Sequence, residues 1–448
     1  RDAIKPVADS DCFNWGYDPY HYTAPEGSFA SDPADGARRV IEFREMVAAL
    51  HRAGLRVGMD VVYNHTFQHG QSEKSVLDRI VPGYYHRLSA EGKVEMSTCC
   101  SNTATENAMM ARLMIDSVKT WATQYRIDSF RFDLMGHQPR SVMEALKAEV
   151  DAAAGRSIFL IGEGWNFGEV ANGARFVQAS QLSLNGSGIG TFSDRARDRI
   201  RGGGCCDDGA DFKRQGYVTG LFHDPNETAN GHTLDQLLEH ADIIRLGLAG
   251  SLRSYSFETA DGTVKTGEEL RYGGDPAGYA SQPREVVNYY ENHDNRTFWD
   301  GLAAKMPKAA SLDDRLRAQT LAAAINNFSQ GIAYFHAGAD VLRSKSMDNN
   351  SYNSGDWFNR LDWSYTTNHF GVGLPVSGNE DLAREVLAPE AMGYIVPSAG
   401  DGATTITLSS HAPRARRHGM PLSSQPGTMW SVKWATAAIP MSHTCTCT

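Results

Sequence analysis

Hydrophobic residues recur every three to four positions in several stretches of the chain, which is the spacing of an amphipathic helix. Between residues 35 and 53, Val40, Phe43 and Val47 follow this spacing. The same spacing predicts three further helices, over residues 107–125, 141–154 and 312–328. Short apolar runs predict strands, over residues 55–63, 127–133, 157–162, 285–290 and 331–335.

The predicted helices and strands alternate along the chain, and the strands are apolar on both faces. This order is typical of a parallel α/β fold, either a closed barrel or an open doubly wound sheet. A dinucleotide-binding sheet would have a G-x-G-x-x-G turn directly after a strand. The run Gly202-Gly-Gly204 instead follows a charged helical stretch, so we interpret it as a loop. The sequence therefore predicts a (β/α)8 barrel of the TIM type.

Composition and charge exclude several classes of protein. The 448 residues are 41% hydrophobic and carry a net charge of −10. No cluster of Lys and Arg stands out in the body of the chain, so nucleic acid is not an expected partner. No stretch of about 20 apolar residues is present, so we do not expect a membrane partner either. A neutral polymer such as a glucan fits a mildly acidic protein.

The seven cysteines form no recognisable metal-binding pattern. Two pairs are adjacent, Cys99-Cys100 and Cys205-Cys206, and there is no C-x-x-C or Cys/His zinc spacing. Because adjacent cysteines rarely bridge each other, we expect free thiols in loops.

Polar clusters that contain a carboxylate follow four of the predicted strands. In a (β/α) barrel the carboxyl ends of all strands meet at one mouth. Charged residues are costly to bury there unless they are paired or used. The sequence therefore predicts a site where the four clusters meet: Asp60 with Asn64-His65, Arg131 with Asp133, Glu163 with Trp165, and His293-Asp294-Asn295.

Two of these carboxylates have contrasting neighbours. Strand alternation places Arg131 on the same face as Asp133, where the guanidinium favours the ionised form that a nucleophile needs. The apolar side chain of Trp165 near Glu163 instead favours a neutral carboxylic acid, which suits a general acid. Such a division between two carboxyl groups is what glycoside hydrolysis uses.

The same residues also have structural interpretations, which the sequence leaves open. Asp60 could serve only to cap a helix or to bind Arg131. His65 and His293 could be buried histidines with satisfied hydrogen bonds. The ring of Trp165 could belong to the core as well as to a sugar-binding surface.

Seven sequence blocks make the chain recognisable. Four follow one another in order, Asp60-Val-Val-Tyr-Asn-His65, Phe130-Arg-Phe-Asp-Leu-Met-Gly-His137, Gly162-Glu-Gly-Trp165 and Asn292-His-Asp-Asn295. The others are Asn14-Trp-Gly-Tyr-Asp-Pro19, Phe335-His-Ala-Gly-Ala-Asp-Val-Leu-Arg-Ser-Lys-Ser346 and Ser351-Tyr-Asn-Ser-Gly-Asp-Trp-Phe-Asn-Arg-Leu-Asp362. Through these blocks the chain resembles the pullulanase and limit-dextrinase branch of the α-amylase family of glycoside hydrolases, from about residue 10 to about residue 385.

The resemblance implies retaining hydrolysis of α-1,6 branch linkages in pullulan, limit dextrins and amylopectin. Asp133 would attack the anomeric carbon and form a covalent glucosyl-enzyme. Glu163 would protonate the bridging oxygen and later deprotonate the attacking water. Asp294 would bind ring hydroxyls and favour the oxocarbenium-like transition state.

The resemblance also implies a set of substrate-binding residues and an α-glucan partner. His65, Arg131 and His293 would hold one sugar, and Tyr17 would stack beneath it. We expect Trp165 on the leaving-group side. Asp356 is expected on the non-reducing side. No cofactor is required, and the resemblance admits Ca²⁺ without assigning its ligands.

The resemblance further implies that part of the family's architecture is absent. In the family the motif that ends at His65 lies on the third barrel strand, and residues 1–31 leave no room for the first two β/α units. We therefore expect residues 1–385 to form a partial catalytic barrel. Residues 386–448 would be a truncated or misframed, poorly ordered segment in place of a β-sandwich domain. Because an open barrel exposes strand edges, we expect such a fragment to be unstable and inactive by itself.

Alternatives to debranching stay open. One is a relative that hydrolyses α-1,4 linkages or transfers glucosyl groups, and another is a non-catalytic glucan-binding fragment. The blocks at residues 14–19 and 353–359 favour debranching, and the presence of both Asp133 and Glu163 argues for catalysis. Relatives of this kind are extracellular, periplasmic or plastidic, so the localisation is unknown. The oligomeric state is not predicted.

Overall fold

A computed structural model describes residues 15–228, 232–364, 366–375 and 381–387 of the chain. The chain divides into two compact units. Among the described residues, the first unit consists of Trp15–Phe192 and Tyr279–Val287. The second unit consists of Ser193–Gly278 and the described residues from 288 to 387. The expected C-terminal segment, residues 386–448, lies outside the described residues except for positions 386 and 387, so that expectation stays a prediction.

The helices and strands follow in chain order. The helices are α1 (Gly36–Arg52), α2 (Leu77–Ile80), α3 (Ala108–Gln124), α4 (Arg140–Ala154), α5 (Asp194–Arg201), α6 (Gly209–Phe212), α7 (Leu234–Leu248), α8 (Phe298–Lys305), α9 (Leu312–Phe328), α10 (Asp356–Asn359) and α11 (Asp381–Val386). The strands are β1 (Gly58–Val61), β2 (His65–Thr66), β3 (Ser101–Asn102), β4 (Ser129–Phe132), β5 (Phe159–Gly162), β6 (Gly190–Phe192), β7 (Ser256–Glu258), β8 (Val264–Thr266), β9 (Arg271–Tyr272), β10 (Asp275–Pro276), β11 (Val286–Asn288) and β12 (Ile332–Ala333).

The first unit is built on a parallel sheet in which β1, β4, β5, β6 and β11 are neighbours in that order. The register pairs Asp60 with Arg131 and Arg131 with Ile161. A short antiparallel pair, β2 with β3, follows the end of β1. The predicted parallel α/β fold is thus confirmed.

The core of the first unit lies between this sheet and helices α1, α3 and α4. Phe130 and Phe132 of β4 are buried in it, as is Trp121 of α3. Because neighbouring strand residues point to opposite faces, Arg131 between the two phenylalanines points away from them. Strand β4 therefore packs Phe130 and Phe132 in the core, while the charged side chain of Arg131 lies on the opposite face of the sheet.

The second unit has its own core, formed largely by helices. Helix α5 packs on α7, and α8 packs on α9. Trp299 and Leu302 of α8 are fully buried in this core. Strand β12 lies beside Asn288, whose carbonyl oxygen accepts a hydrogen bond from the Tyr334 N–H at 2.9 Å.

The predicted elements agree with the structure in type, and the strands are shorter than expected. The predicted helix over residues 312–328 has the bounds of α9, Leu312–Phe328. The predicted strand over residues 55–63 is reduced to Gly58–Val61. The prediction of free thiols is correct for Cys205-Cys206 but wrong for Cys99-Cys100, which form a disulfide between neighbouring residues.

Candidate active site

The carboxyl ends of β1, β4 and β5 bring three carboxylates together in the first unit. Asp60 lies on β1, Asp133 directly follows β4, and Glu163 directly follows β5. The main-chain N–H of Asp133 donates to Val61 O at 3.0 Å, and that of Glu163 donates to Phe132 O at 3.1 Å. The pairing of the strands therefore continues to both carboxylate residues and fixes their backbones.

One guanidinium binds all three carboxylates. Arg131 Nη1 lies 2.8 Å from Asp60 Oδ1 and 3.0 Å from Asp133 Oδ1. Arg131 Nη2 lies 3.0 Å from Glu163 Oε1. The predicted contact between Arg131 and Asp133 is confirmed. Glu163 has the same guanidinium as a neighbour, and the difference in acidity expected between the two carboxyls stays a prediction.

The charge of Arg131 is fixed by its surroundings. Burial alone would lower the pKa of this side chain, but the negative groups around it raise that pKa well above its usual value. These groups are the carboxylates of Asp60, Glu163 and Asp133. Arg131 is therefore a permanent cation at the centre of the carboxylate cluster.

The second oxygen of Asp133 is held from another strand end. Asn64 Nδ2 donates to Asp133 Oδ2 at 3.3 Å. Asn64 is fully buried and follows β1 by three residues. The sequence places Asn64 in a motif but does not predict this role, because the contact with Asp133 depends on how the ends of β1 and β4 approach each other.

The second oxygen of Glu163 is held by a strained residue. The Leu134 N–H donates to Glu163 Oε2 at 3.0 Å. Leu134 adopts φ 40° and ψ 48°, the left-handed region that residues with a Cβ rarely adopt. Such strain persists where the surrounding structure imposes it, and here it points a backbone donor at a carboxylate. No feature of the sequence distinguishes Leu134 from an ordinary loop residue.

The segment after Glu163 is packed too closely for a side chain at its glycine. A Cβ on Gly164 would lie 2.8 Å from the nitrogen of Gln181 and 2.9 Å from Cγ2 of Thr191. The next residue, Trp165, is half-buried. The absence of a side chain at Gly164 therefore allows this loop to pack closely against Gln181 and Thr191, and this packing positions the backbone of Trp165.

Tyr17 and His65 lie against the same cluster. Tyr17 donates from its hydroxyl to Asp60 Oδ2 at 2.6 Å, and its ring faces the Arg131 guanidinium, 5.7 Å away. His65 Nε2 lies 2.6 Å from the carbonyl oxygen of Tyr17, and Nδ1 lies 2.9 Å from Asn64 Nδ2. Burial lowers the pKa of His65 to about 4, so this histidine is neutral at pH 7 and donates from Nε2 to Tyr17.

His293 and Asp294 belong to the second unit, where they follow β11. Nε2 of His293 lies 3.6 Å from Oδ2 of Asp294. The carbonyl oxygen of His293 accepts a hydrogen bond from Nζ of the buried Lys345 at 2.7 Å. Asp356 is the first residue of α10, and its side chain lies outside what the structure describes. The structure thus brings together Tyr17, His65, Arg131, Asp133 and Glu163 in the first unit, which also contains Trp165. His293, Asp294 and Asp356 belong to the second unit.

Calcium does not fit the one side-chain group that could hold a metal in the described part of the chain. That group consists of His65, Cys99 and Cys100, with ligand atoms within 4.8 Å of one another. Ca²⁺ takes oxygen ligands, whereas this group offers one nitrogen and two sulfur atoms. The two sulfur atoms form the disulfide, and His65 Nε2 already donates to Tyr17. We derive no step through a metal ion.

A helix that crosses a membrane must be both long and apolar. None of the helices within the described ranges meets both conditions.

Comparisons with known proteins show to which proteins this chain, with its parallel sheet and paired carboxylates, is similar. No family model matches the chain. It is 46% identical to the chloroplastic pullulanase 1 of Arabidopsis thaliana in an alignment of 401 residues that covers 86% of this chain and 41% of that protein. It is 46% identical to the pullulanase of Klebsiella aerogenes over 386 residues, with 85% of this chain and 35% of that protein covered.

Solved structures give the same result. A structure of Klebsiella pneumoniae pullulanase complexed with maltotriose matches with a TM-score of 0.83 and 45% identity, over 86% of this chain and 37% of that one. A pullulanase variant from Paenibacillus barengoltzii complexed with maltotetraose matches with a TM-score of 0.65 and 32% identity, over 85% of this chain and 51% of that one.

The chain is therefore a homologue of the pullulanases, which are glycoside hydrolases, and the resemblance noted from its motifs is confirmed. It spans about two-fifths of the length of the Arabidopsis and Klebsiella aerogenes relatives, 41% and 35%.

Proposed function

We propose that the carboxylate cluster of this chain is the active site of a retaining glycoside hydrolase that cleaves α-1,6 linkages in α-glucans. The observation that carries the proposal is the binding of Asp133 and Glu163 by different nitrogens of Arg131, each at 3.0 Å. A retaining mechanism needs two carboxyl groups about 5–5.5 Å apart, and binding to one guanidinium favours such a short separation. The similarity to pullulanases supports the α-1,6 linkage as the bond that is cleaved.

The two carboxyls take different roles in this mechanism. Asp133 attacks the anomeric carbon, and its second oxygen keeps the hydrogen bond from Asn64 that orients it. Glu163 donates its proton to the bridging oxygen as the bond breaks, and it then takes a proton from the water that releases the sugar. The Leu134 N–H fixes the carboxyl of Glu163 during both transfers. Asp294 stabilises the positive charge that develops on the sugar ring.

The remaining residues bind the substrate. His65 and His293 hold the hydroxyls of the sugar that Asp133 attacks, and the ring of Tyr17 lies beneath that sugar because aromatic faces suit the apolar faces of glucose. Trp165 contacts the leaving-group side and Asp356 the non-reducing side. Arg131 acts mainly by holding the carboxylates. A maltotriose complex of a related pullulanase supports an α-glucan oligosaccharide as the ligand.

The finer points of architecture and setting are also proposals. We propose that the parallel sheet of the first unit is part of a (β/α)8 barrel, as its pullulanase neighbours suggest. The reaction uses two carboxylates and a water molecule, so it needs no cofactor. Matches to chloroplastic and bacterial pullulanases support a plastid or a bacterial extracellular or periplasmic setting.

The α-1,4-acting alternative predicts a different product. Reducing-sugar release should be measured on pullulan and on amylose, with the chain and with its Glu163→Gln variant. Maltotriose from pullulan, with amylose intact and the variant inactive, supports the proposal and contradicts the expectation that the chain is inactive by itself. Cleavage of amylose with pullulan intact, or equal release by the variant, contradicts the proposal. Failure to cleave either polymer contradicts it for this chain.

A further inference from the structure

The second unit carries two adjacent cysteines that the proposed hydrolysis does not use. Cys205 and Cys206 are both exposed and unbridged, and their sulfur atoms lie 2.8 Å apart. We propose that this pair is a redox-active dithiol that reacts with low-molecular-weight disulfides, one sulfur attacking and the other resolving the mixed disulfide. A site of this kind is independent of the carboxylate cluster.

The loop that carries the dithiol is anchored on its N-terminal side by a buried lysine. Lys305 is 2% exposed, and its Nζ donates to the carbonyl oxygen of Gly202 at 3.0 Å and to that of Arg214 at 2.9 Å. On the other side, Asp207 Oδ2 accepts hydrogen bonds from the Gly204 N–H and from Arg214 Nη2, both at 2.7 Å. These bonds hold the backbone before and after the two thiols.

The glycines before the dithiol are required by this anchoring. Gly202 and Gly203 have φ values of +86° and +70°, a region that favours glycine. A Cβ on Gly202 would collide with the carbonyl oxygen of Arg214. The loop therefore has a defined backbone path that keeps Cys205 and Cys206 at the surface and close together.

The surroundings of the pair shift the pKa values of the two thiols in opposite directions. The hydrogen bond from Cys205 lowers the pKa of Cys206 to about 6. Arg197 assists this shift, whereas partial desolvation by neighbouring atoms, Asp207 and Asp198 oppose it. This contact therefore favours the thiolate at Cys206 over the thiolate at Cys205. A low pKa alone does not make a site, but here it accompanies exposure and a fixed neighbour.

Cys205 takes the opposite role in the same contact. Its hydrogen bond to Cys206 and partial desolvation by neighbouring atoms raise the pKa of its thiol; Asp198 also raises this pKa, and Arg197 lowers it. The buried Arg201 is also electrostatically coupled to Cys205. Cys205 therefore keeps its proton until Cys206 has reacted, as a resolving cysteine does.

The reaction balances with an external disulfide as the oxidant. The Cys206 thiolate attacks one sulfur of the disulfide RSSR, forms the mixed disulfide Cys206–SR and releases RS⁻. Cys205 transfers its proton to a released RS⁻, and the resulting thiolate attacks Cys206 Sγ and expels the second RS⁻. Two electrons pass from the cysteine sulfurs to the external disulfide, which leaves as one thiol and one thiolate.

The chain contains a reference pair for this chemistry. Cys99 and Cys100 in the first unit are also adjacent, and they are already joined as a disulfide. They show that this chain accommodates a disulfide between neighbouring residues. Because the two pairs fall in different parts of the sequence, peptide mapping distinguishes their reactions.

The test is mass spectrometry of the reduced chain after incubation with oxidised glutathione at pH 7. We expect the peptide with both cysteines to lose two hydrogens and to retain no glutathione. The Cys205→Ser variant should keep one glutathione on Cys206, because nothing resolves the mixed disulfide. The Cys206→Ser variant should react at least about tenfold more slowly. Equal rates in the two variants would contradict the role given to Cys206, and no reaction in the unsubstituted chain would overturn the proposal.

A second measurement does not depend on either substitution. Alkylation of Cys206 by iodoacetamide should be followed from pH 5 to pH 10 by peptide mapping. We expect the rate to rise with a midpoint near pH 6. A midpoint of about 8.5, the value of an unperturbed thiol, would contradict the assignment of Cys206 as the attacking sulfur.

Discussion

The Nη1 atom of Arg131 lies 3.0 Å from Oδ1 of Asp133, which is two residues further along the same chain. Asp133 therefore leaves β4 on the face from which Arg131 projects. Through Nη2 the same guanidinium also binds Glu163. One buried cation thus positions both proposed catalytic carboxyls, and its removal should disturb both.

Replacement of Arg131 by methionine should lower both stability and activity. The substitution leaves three carboxylates without their shared cation, and breaking a buried ion pair in this way costs about 3–5 kcal/mol. We expect the free energy of unfolding in urea to fall by about that amount near pH 7, and kcat on pullulan to fall at least about a hundredfold.

Arg112 offers a matched control for this experiment. Its Nε lies 2.7 Å from Asp116 Oδ2, but both side chains are about half exposed, at 53% and 48%. Surface pairs of this kind contribute little, so Arg112→Met should leave stability and kcat unchanged within error. Equal losses in the two variants would refute a special role for Arg131.

The effects of substituting the two proposed catalytic carboxyls should differ according to the leaving group of the substrate. Glu163→Gln removes the proton donor, which contributes about 10²–10⁴-fold. An activated aryl α-maltotrioside, such as the dinitrophenyl derivative, needs no such donor, so its first cleavage step should be largely retained in Glu163→Gln. Asp133→Asn removes the nucleophile, and it should abolish cleavage of both the aryl substrate and pullulan. Burst kinetics on the aryl substrate measure this first step, and loss of the burst in Glu163→Gln would exclude the role given to Glu163.

Gly164→Ala should destabilise the loop that follows Glu163. The added Cβ would meet Gln181 N at 2.8 Å and Thr191 Cγ2 at 2.9 Å, so the backbone must shift. Overpacking of this kind costs about 1–3 kcal/mol, and the shift should also lower kcat on pullulan. The control is Gly36→Ala at the start of α1, where a Cβ has nothing within 4 Å. If thermal denaturation gives the same midpoint for both variants, the close packing at Gly164 is not significant.

Glu291 should make the second unit less stable as the pH rises. Burial raises the pKa of this carboxyl from 4.5 to about 7, while the Phe298 N–H and Arg343 partly oppose the shift. Between these values the folded state holds a proton that the unfolded state releases, so stability falls as the pH increases from about 4.5 to about 7.

The variant Glu291→Gln removes this dependence. Relative to the unsubstituted chain, its free energy of unfolding should increase by about 3 kcal/mol between pH 4.5 and pH 7 and then stay constant. The comparison of the two proteins cancels the opposite contribution of His65, whose lowered pKa costs stability as the pH falls. Urea denaturation across this range provides the test, and parallel curves for the two proteins would contradict the prediction.

The sequence predicted helices better than strands because their periodic signal is longer. Helix α9 has the predicted bounds, Leu312–Phe328. Strand β6, Gly190–Phe192, was missed because three residues with one glycine carry no pattern. Helix α7, Leu234–Leu248, was also missed, although Thr233 and Gln236 form a capping box at its start.

Within the site, only the local contacts could be predicted. The contact between Arg131 and Asp133 follows from strand alternation along β4 and is confirmed. The contact between Arg131 and Glu163 depends on the register of β4 with β5, which no local pattern fixes. The left-handed backbone of Leu134 is imposed by its surroundings and has no signal in its side chain. The catalytic and sugar-binding roles themselves stay predictions.

The most direct test of a retaining mechanism is to trap the covalent intermediate on Asp133. Glu163→Gln should be incubated with α-maltotriosyl fluoride, whose leaving group needs no proton donor, while the missing base slows release of the sugar. Peptide mass spectrometry should then find one maltotriosyl group on Asp133, and none in the double variant Asp133→Asn/Glu163→Gln. An adduct on another residue, or turnover to the β-anomer without any adduct, would contradict Asp133 as the nucleophile.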